Sequence, residues 1–256
     1  MMNRISLSLI YWFPFLYYMN NMEVYSDSDN REDDGWIEWF CELDGNDYLL
    51  QVDEEYIRDQ FNLYGIRQKI KNYDQAMEMI LGQDVPDSDD FRDPDYLANY
   101  ESAMDLYGLI HSRYILSPKG LALMREKYLM GTFGVWPRVK CKRHYTMPIG
   151  SSNNLNESRV KIYWPKCQEI YIPKHGSIDI DGAYFGPGFP FALMQAYPEL
   201  VPEDGPEKFM PQLYGFKIFG MRGSKYEYKY NEQGQVENSD EVNQILEDKK
   251  TDAYDD

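Results

Sequence analysis

Two short stretches carry the residue types and spacing of metal chemistry. "GVWPRVKC" covers residues 134–141 and "YWPKC" covers residues 163–167. With cysteine in place of each tryptophan they become C-P-x-x-x-C and C-P-x-C, with 22 residues between Cys141 and position 164. Four thiolates at that spacing make a tetrahedral zinc ribbon site. As written, Trp136 and Trp164 offer no ligand, because an indole carries only an N–H donor. Cys141 and Cys167 are then half of a ligand set.

No other stretch carries recognisable catalytic chemistry. G-x-G-x-x-G, the Walker A pattern, G-x-S-x-G, H-E-x-x-H and the kinase H-R-D and D-F-G motifs do not occur. "FGPGF" lacks a third glycine, and its prolines suit a turn better than a phosphate cradle. His111 lies in an apolar helical stretch and reads as a core residue. The carboxylates come in runs, as on solvated faces, and not as a paired acid and base.

Composition narrows the partners. The chain of 256 residues carries 43 acidic against 26 basic groups, a formal charge of −17. A nucleic-acid backbone would be repelled, while basic proteins, basic peptides and polyamines would be attracted. Aromatic residues make up 16% of the chain, enough with its aliphatics for a sizeable core. Three cysteines fit a reducing compartment rather than a disulfide framework.

Residues 1–21 have Arg4 before an apolar run that Pro14 interrupts. They lack a small-x-small cleavage pattern and make no convincing membrane span, and the reading preferred here starts translation at Met19 or Met22. Residues 23–34 form an acidic arm, so 1–34 stand apart from the folded body. A helical domain is expected over 35–133. Residues 54–81 read as helical, with Ile57, Phe61, Ile66, Ile70, Ala76, Met77 and Ile80 on the apolar spacing. An acidic loop at 82–95 includes Asp84, Asp87, Asp89 and Asp90. A second helix carries Leu106, Tyr107, Ile110 and Tyr114 on one face. A third starts with Ser117 as N-cap and Pro118 at its first position, buries Leu121, Met124 and Tyr128, and stops at Gly131. From Gly134 short alternating runs predict strands, giving a small β domain over 134–203. "PQLYGFKIF" reads as a short apolar strand or docking segment within 204–223. Residues 224–256 read as an acidic tail without regular structure beyond a helical turn near 241–246. The class is α+β.

Six blocks, "WIEWFCELDGNDYLLQVDEEYIRDQFNL", "LYGLIHSRYIL", "PRVKC", "YWPKC", "DGAYFGPGFP" and "PQLYGFKI", resemble the regulatory (beta) subunit of casein kinase II, in order, over about residues 35–219. The resemblance implies a helical lobe beside a four-cysteine zinc ribbon. It also implies a non-catalytic chain of the cytoplasm and nucleus that stabilises a kinase catalytic (alpha) subunit and modulates its substrate choice. Two beta chains would pair through their ribbons in an alpha2-beta2 tetramer. Zinc ligands would fall at 136, 141, 164 and 167, and the dimer face would include Pro137, Val139, Ile170 and Ile172. Tyr214 and Phe216 would anchor the catalytic subunit, with a family methionine contact replaced by Ala192. The acidic loop would bind polyamines and basic effectors. An arginine of the family is Asp74 here, which removes a degradation signal. Ser26, followed by Asp27 and Asp29, is a phosphoacceptor of the kind an acidophilic kinase prefers. No nucleic acid or membrane is implied.

The two tryptophans leave three readings open. The ribbon has lost zinc and the indoles fill the space, two buried tryptophans contributing ~8–12 kcal/mol by area against ~10–16 kcal/mol for a structural zinc. Alternatively, Cys141, His144, Cys167 and His175 form a rebuilt ligand set. In the third reading, a codon for cysteine in the source has been translated as tryptophan, so that positions 136 and 164 are cysteine and zinc is bound. The functional alternative is a zinc-free adaptor of the same fold that no longer binds the kinase.

Overall fold

The computed structural model describes residues 35–87, 89–135, 144–173, 180–205, 210–224 and 226–252. The described residues form two compact units, one ending at 204 and one beginning at 205. The first combines helices with a small antiparallel sheet, so the class is α+β.

Helix α1 (Trp36–Glu42) buries Trp36 and Phe40, one turn apart, with their rings stacked at 4.7 Å. Helices α2 (Glu54–Arg58) and α3 (Tyr73–Ile80) follow, and α3 packs along α4 (Pro94–Tyr114). The sequence predicts one helical run over 54–81; the structure breaks it at 59–72. Local side-chain bonds compete with the helix there. Asp59 accepts the Phe61 N–H at 2.9 Å, and the Asn62 amide donates to the Tyr56 carbonyl at 3.1 Å. Gly65 then takes a left-handed φ of 76°.

The 21-residue α4 is the spine of the unit. Asp93 caps it through the Asp95 N–H at 3.0 Å, and Pro94 stands at its first position. Its face at Tyr107, His111 and Tyr114 holds the neighbouring extended segment 50–53. Tyr107 donates its hydroxyl to the Leu50 carbonyl (2.6 Å) and accepts from the Val52 N–H (3.1 Å). His111 Nε2 accepts the Leu50 N–H (3.1 Å), and Tyr114 donates to Asp53 (2.9 Å). Buried backbone groups of an irregular segment are thereby satisfied. Helix α5 (Pro118–Met130) has the expected ends: Ser117 accepts the Gly120 N–H at 3.1 Å, and Gly131 closes the helix at φ 77°.

The sheet order is β1–β2–β3, from Met147–Ile149, Lys161–Trp164 and Glu169–Tyr171. Pairing runs Pro148 to Ile162 and Tyr163 to Ile170. The "DGAYFGPGF" stretch forms a 3-10 turn at Gly182–Tyr184 and then helix α6 (Phe189–Ala196), burying Tyr184, Phe185 and Phe189. It meets α4 at Gly108, where a Cβ would lie 2.0 Å from the Tyr184 ring. Only glycine permits that approach.

In the second unit, β4 (Gln212–Leu213) and β5 (Phe216–Lys217) form a hairpin. Asn238 bridges this unit's later turns, donating to the Glu227 carbonyl (2.9 Å) and accepting from the Lys229 N–H (2.8 Å). Helix α7 (Ser239–Asp252) follows. Sequence reading expects only a turn there; the anchored Asn238 starts a full helix.

No helix among the described residues is long and apolar enough to cross a membrane.

Candidate functional site

Three regions carry the residues singled out above. The first is the turn from Trp164 to Gln168 between β2 and β3. The Gln168 N–H donates to the Trp164 carbonyl at 2.8 Å, and Gln168 takes a left-handed φ of 57°. This tight turn brings positions 164 and 167 together, as a metal knuckle does. Trp164 is 0% exposed, and its ring stands 6.2 Å from Tyr171 at 65°. The Cys167 thiol lies 3.7 Å from the Tyr171 hydroxyl, which in turn donates to Glu169. That carboxylate partner raises the Tyr171 hydroxyl's pKa well above the usual phenol range.

A four-thiolate zinc site does not fit the residues present. The ligand position at 164 is filled by an indole with no lone pair to give. Among the described residues no group of three His, Cys, Asp or Glu is arranged to hold a metal. His144 Nδ1 lies instead 3.4 Å from the Tyr128 hydroxyl and 3.2 Å from the Tyr145 carbonyl. Trp136, Cys141 and His175 lie outside the described residues, as do Pro137 and Val139. Of the expected dimer face, Ile170 and Ile172 are exposed large apolar side chains. Ile170 is cross-strand partner to Tyr163, whose ring stands 5.3 Å from Phe191 on α6.

The second region is the β4–β5 hairpin. Its two-residue turn has positive φ at both positions, 49° at Tyr214 and 86° at Gly215, which is the primed turn that matches strand twist. The pairs are Gln212 with Lys217 and Leu213 with Phe216. Tyr214 is 93% exposed and Phe216 78%, with Leu213 exposed beside them. A turn thus presents two large rings to solvent, the form of anchor that fills an apolar groove. Ala192, at the expected methionine contact, is half-buried on α6.

The third region is the acidic loop. Asp87 accepts from the backbone N–H groups of Asp89 (2.7 Å) and Asp90 (3.0 Å), and Asp90 accepts from that of Asp87 (2.9 Å). Asp89 pairs with Arg92 at 2.8 Å. Phe91 anchors the loop, its ring 5.1 Å from Tyr100. The carboxylates therefore sit on a folded loop that faces water. Ser26 lies outside the described residues. Asp74 is exposed and pairs with Arg67 at 2.7 Å.

No described constellation has the geometry of an active centre. His111 is fully buried, accepts through Nε2 and bonds the Tyr184 carbonyl through Nδ1 (2.8 Å); burial lowers its pKa to about 4. The residue is a neutral structural bridge and not a base. Burial likewise pushes the Cys41 thiol up to about 11, so it is no nucleophile. Asp105 is raised to about 6 by burial and by the charge of Asp181. What sequence reading missed is the exposure of Phe61. Placed on an apolar helical stripe by its spacing, Phe61 points to solvent because that helix does not form.

Comparison with known proteins agrees with the six blocks. The family model described as casein kinase II regulatory subunit matches residues 35–217. Casein kinase II subunit beta of Dictyostelium discoideum is 44% identical over 202 residues, 78% of this chain and 75% of its own. Subunit beta' of Drosophila melanogaster is 45% identical over 191 residues, covering 74% and 86%. The Schizosaccharomyces pombe subunit beta is 42% identical over 207 residues, covering 77% and 85%. The chain therefore belongs to the casein kinase II regulatory subunit family, as a regulatory and not a catalytic member.

Proposed function

We propose that this chain is the scaffold of an acidophilic Ser/Thr kinase, docking a catalytic subunit through the β4–β5 hairpin and modulating substrate choice. The observation that carries this reading is the primed turn holding Tyr214 and Phe216 almost wholly in solvent. Because the turn already orders the backbone beneath both rings, binding them costs side-chain freedom but little backbone freedom. Two copies pair through the 134–203 domain, using Ile170 and Ile172 with Pro137 and Val139, in an alpha2-beta2 assembly. The acidic loop at Asp84, Asp87, Asp89 and Asp90 gathers basic proteins or polyamines, and Ser26 is phosphorylated by the docked kinase.

The ribbon holds zinc if positions 136 and 164 are cysteine in the protein purified from its own source. As written, Trp164 occupies the knuckle and the chain carries no zinc. Intact mass, peptide mapping and zinc content of that purified protein separate the two states.

The test of docking is co-purification with the catalytic subunit. Tyr214→Asn with Phe216→Ala removes both rings while asparagine keeps the left-handed turn available. Loss of the kinase supports the reading. Kinase that co-purifies undiminished would place docking elsewhere on the chain, and a wild-type chain that captures no kinase would be an adaptor that shares the fold without binding the kinase.

A further inference from the structure

Phe61 is 86% exposed and Tyr64 is 84% exposed, on a segment the structure holds firmly. The Tyr64 N–H donates to the Phe61 carbonyl (3.4 Å), closing one turn that spaces the two rings three residues apart. Arg113, from α4, donates to the carbonyls of Asn62 (2.5 Å) and Tyr64 (2.8 Å). Ile57, Ile66 and Ile70 anchor the segment on both sides. Nothing here is a loose loop tip; the backbone is pinned and the rings still face water.

The surroundings select the partner. Residues 58–71 hold Arg58, Arg67, Lys69 and Lys71 against a single carboxylate, Asp59, in a chain whose net charge is −17. Arg58 and Arg67 are engaged by Glu54 and Asp74, while Lys69 and Lys71 are exposed and form no ion pair among the described residues. An acidic peptide with an apolar pair beside its carboxylates fits this surface. The chain contains one: residues 23–34 carry six acidic side chains against one arginine, with Val24 and Tyr25 just before Asp27 and Asp29.

We infer that the acidic N-terminal arm docks on the 59–71 segment of its own chain, Val24 and Tyr25 against Phe61 and Tyr64, and Asp27 and Asp29 against Lys69 and Lys71. The reach is sufficient. The Trp36 N–H bonds the Gly82 carbonyl at 3.3 Å, which puts the arm's origin at one end of α3. Lys71 precedes the other end of that eight-residue helix, a separation of about 12 Å along its axis. From Gly35 the six residues to Asp29 can span up to ~20 Å and the ten to Tyr25 up to ~33 Å. Because the arm is tethered, its effective concentration at the surface is of millimolar order, so a weak contact suffices. Ser26 lies between the apolar pair and the carboxylates, and a phosphate there would add charge at the contact. That last step rests on the kinase reading above; the docking itself does not.

The test is carbodiimide cross-linking of the unphosphorylated full chain in low salt, with peptide mapping of the monomer band from a denaturing gel. The expected result is Asp27 or Asp29 joined to Lys69 or Lys71. Its yield should fall at least threefold in Phe61→Ser/Tyr64→Ser, whose exposed side chains are not needed for folding. Absence of these links overturns the proposal, as does an undiminished yield in the double variant. Links confined to the dimer band overturn it too, since the surface would then take a second copy's arm.

Discussion

Asp105 and His111 lie six residues apart on α4 and are shifted in opposite senses. Asp105 is raised from the ordinary carboxylate value to about 6, so its contribution favours the fold most below pH 4 and is lost as pH rises through 6. His111 is lowered to about 4, so its contribution is present above pH 6.5 and is lost as pH falls toward 4. Between pH 4 and 6 the two largely offset each other. Asp105→Asn should therefore add on the order of 1–3 kcal/mol at pH 7.5 and expose a steeper loss of stability between pH 6.5 and 4; urea unfolding across that range measures both. The neutral His111 was legible in the sequence from its apolar helical setting. The Asp105 shift was not, because it comes first from burial and then from the charge of Asp181, 76 positions further along, and both are set only by the fold.

At the scale of elements, Gly108 sets how closely α4 and the "DGAYFGPGF" segment approach. Alanine in a helix interior is worth about 1 kcal/mol over glycine. Here its Cβ would sit 2.0 Å from the buried Tyr184 ring, and overpacking of that kind costs about 1–3 kcal/mol. Gly108→Ala should be net destabilising, read as a lower urea midpoint with unchanged slope. The ends of α5 were readable from Ser117-Pro118 and Gly131, because caps are local chemistry; Asp93-Pro94, which the sequence reading leaves in the acidic loop, instead caps and starts α4. The break at 59–72 was not readable from spacing: Asp59 and Asn62 make the local bonds, but Arg113 fixes the turn from more than forty positions away. The six family blocks located Tyr214 and Phe216. The turn that presents them is legible only in the backbone, where a tyrosine takes a left-handed φ.

For the molecule as a whole, the surplus of 17 negative charges acts through its field. Replacing Asp84, Asp87, Asp89 and Asp90 with asparagine should weaken spermine binding several-fold at 50 mM salt and leave little difference at 0.5 M, where the screening length is only ~4 Å. Isothermal titration at the two salt concentrations gives the comparison. Assembly with a kinase is tested by the affinity of a purified casein kinase II catalytic subunit for this chain, wild type beside Tyr214→Asn/Phe216→Ala. With two aromatic anchors of hot-spot size, the double variant should lose at least a hundredfold in affinity, about 3 kcal/mol, with an unchanged unfolding curve. Equal affinity for the two proteins would contradict docking through this hairpin.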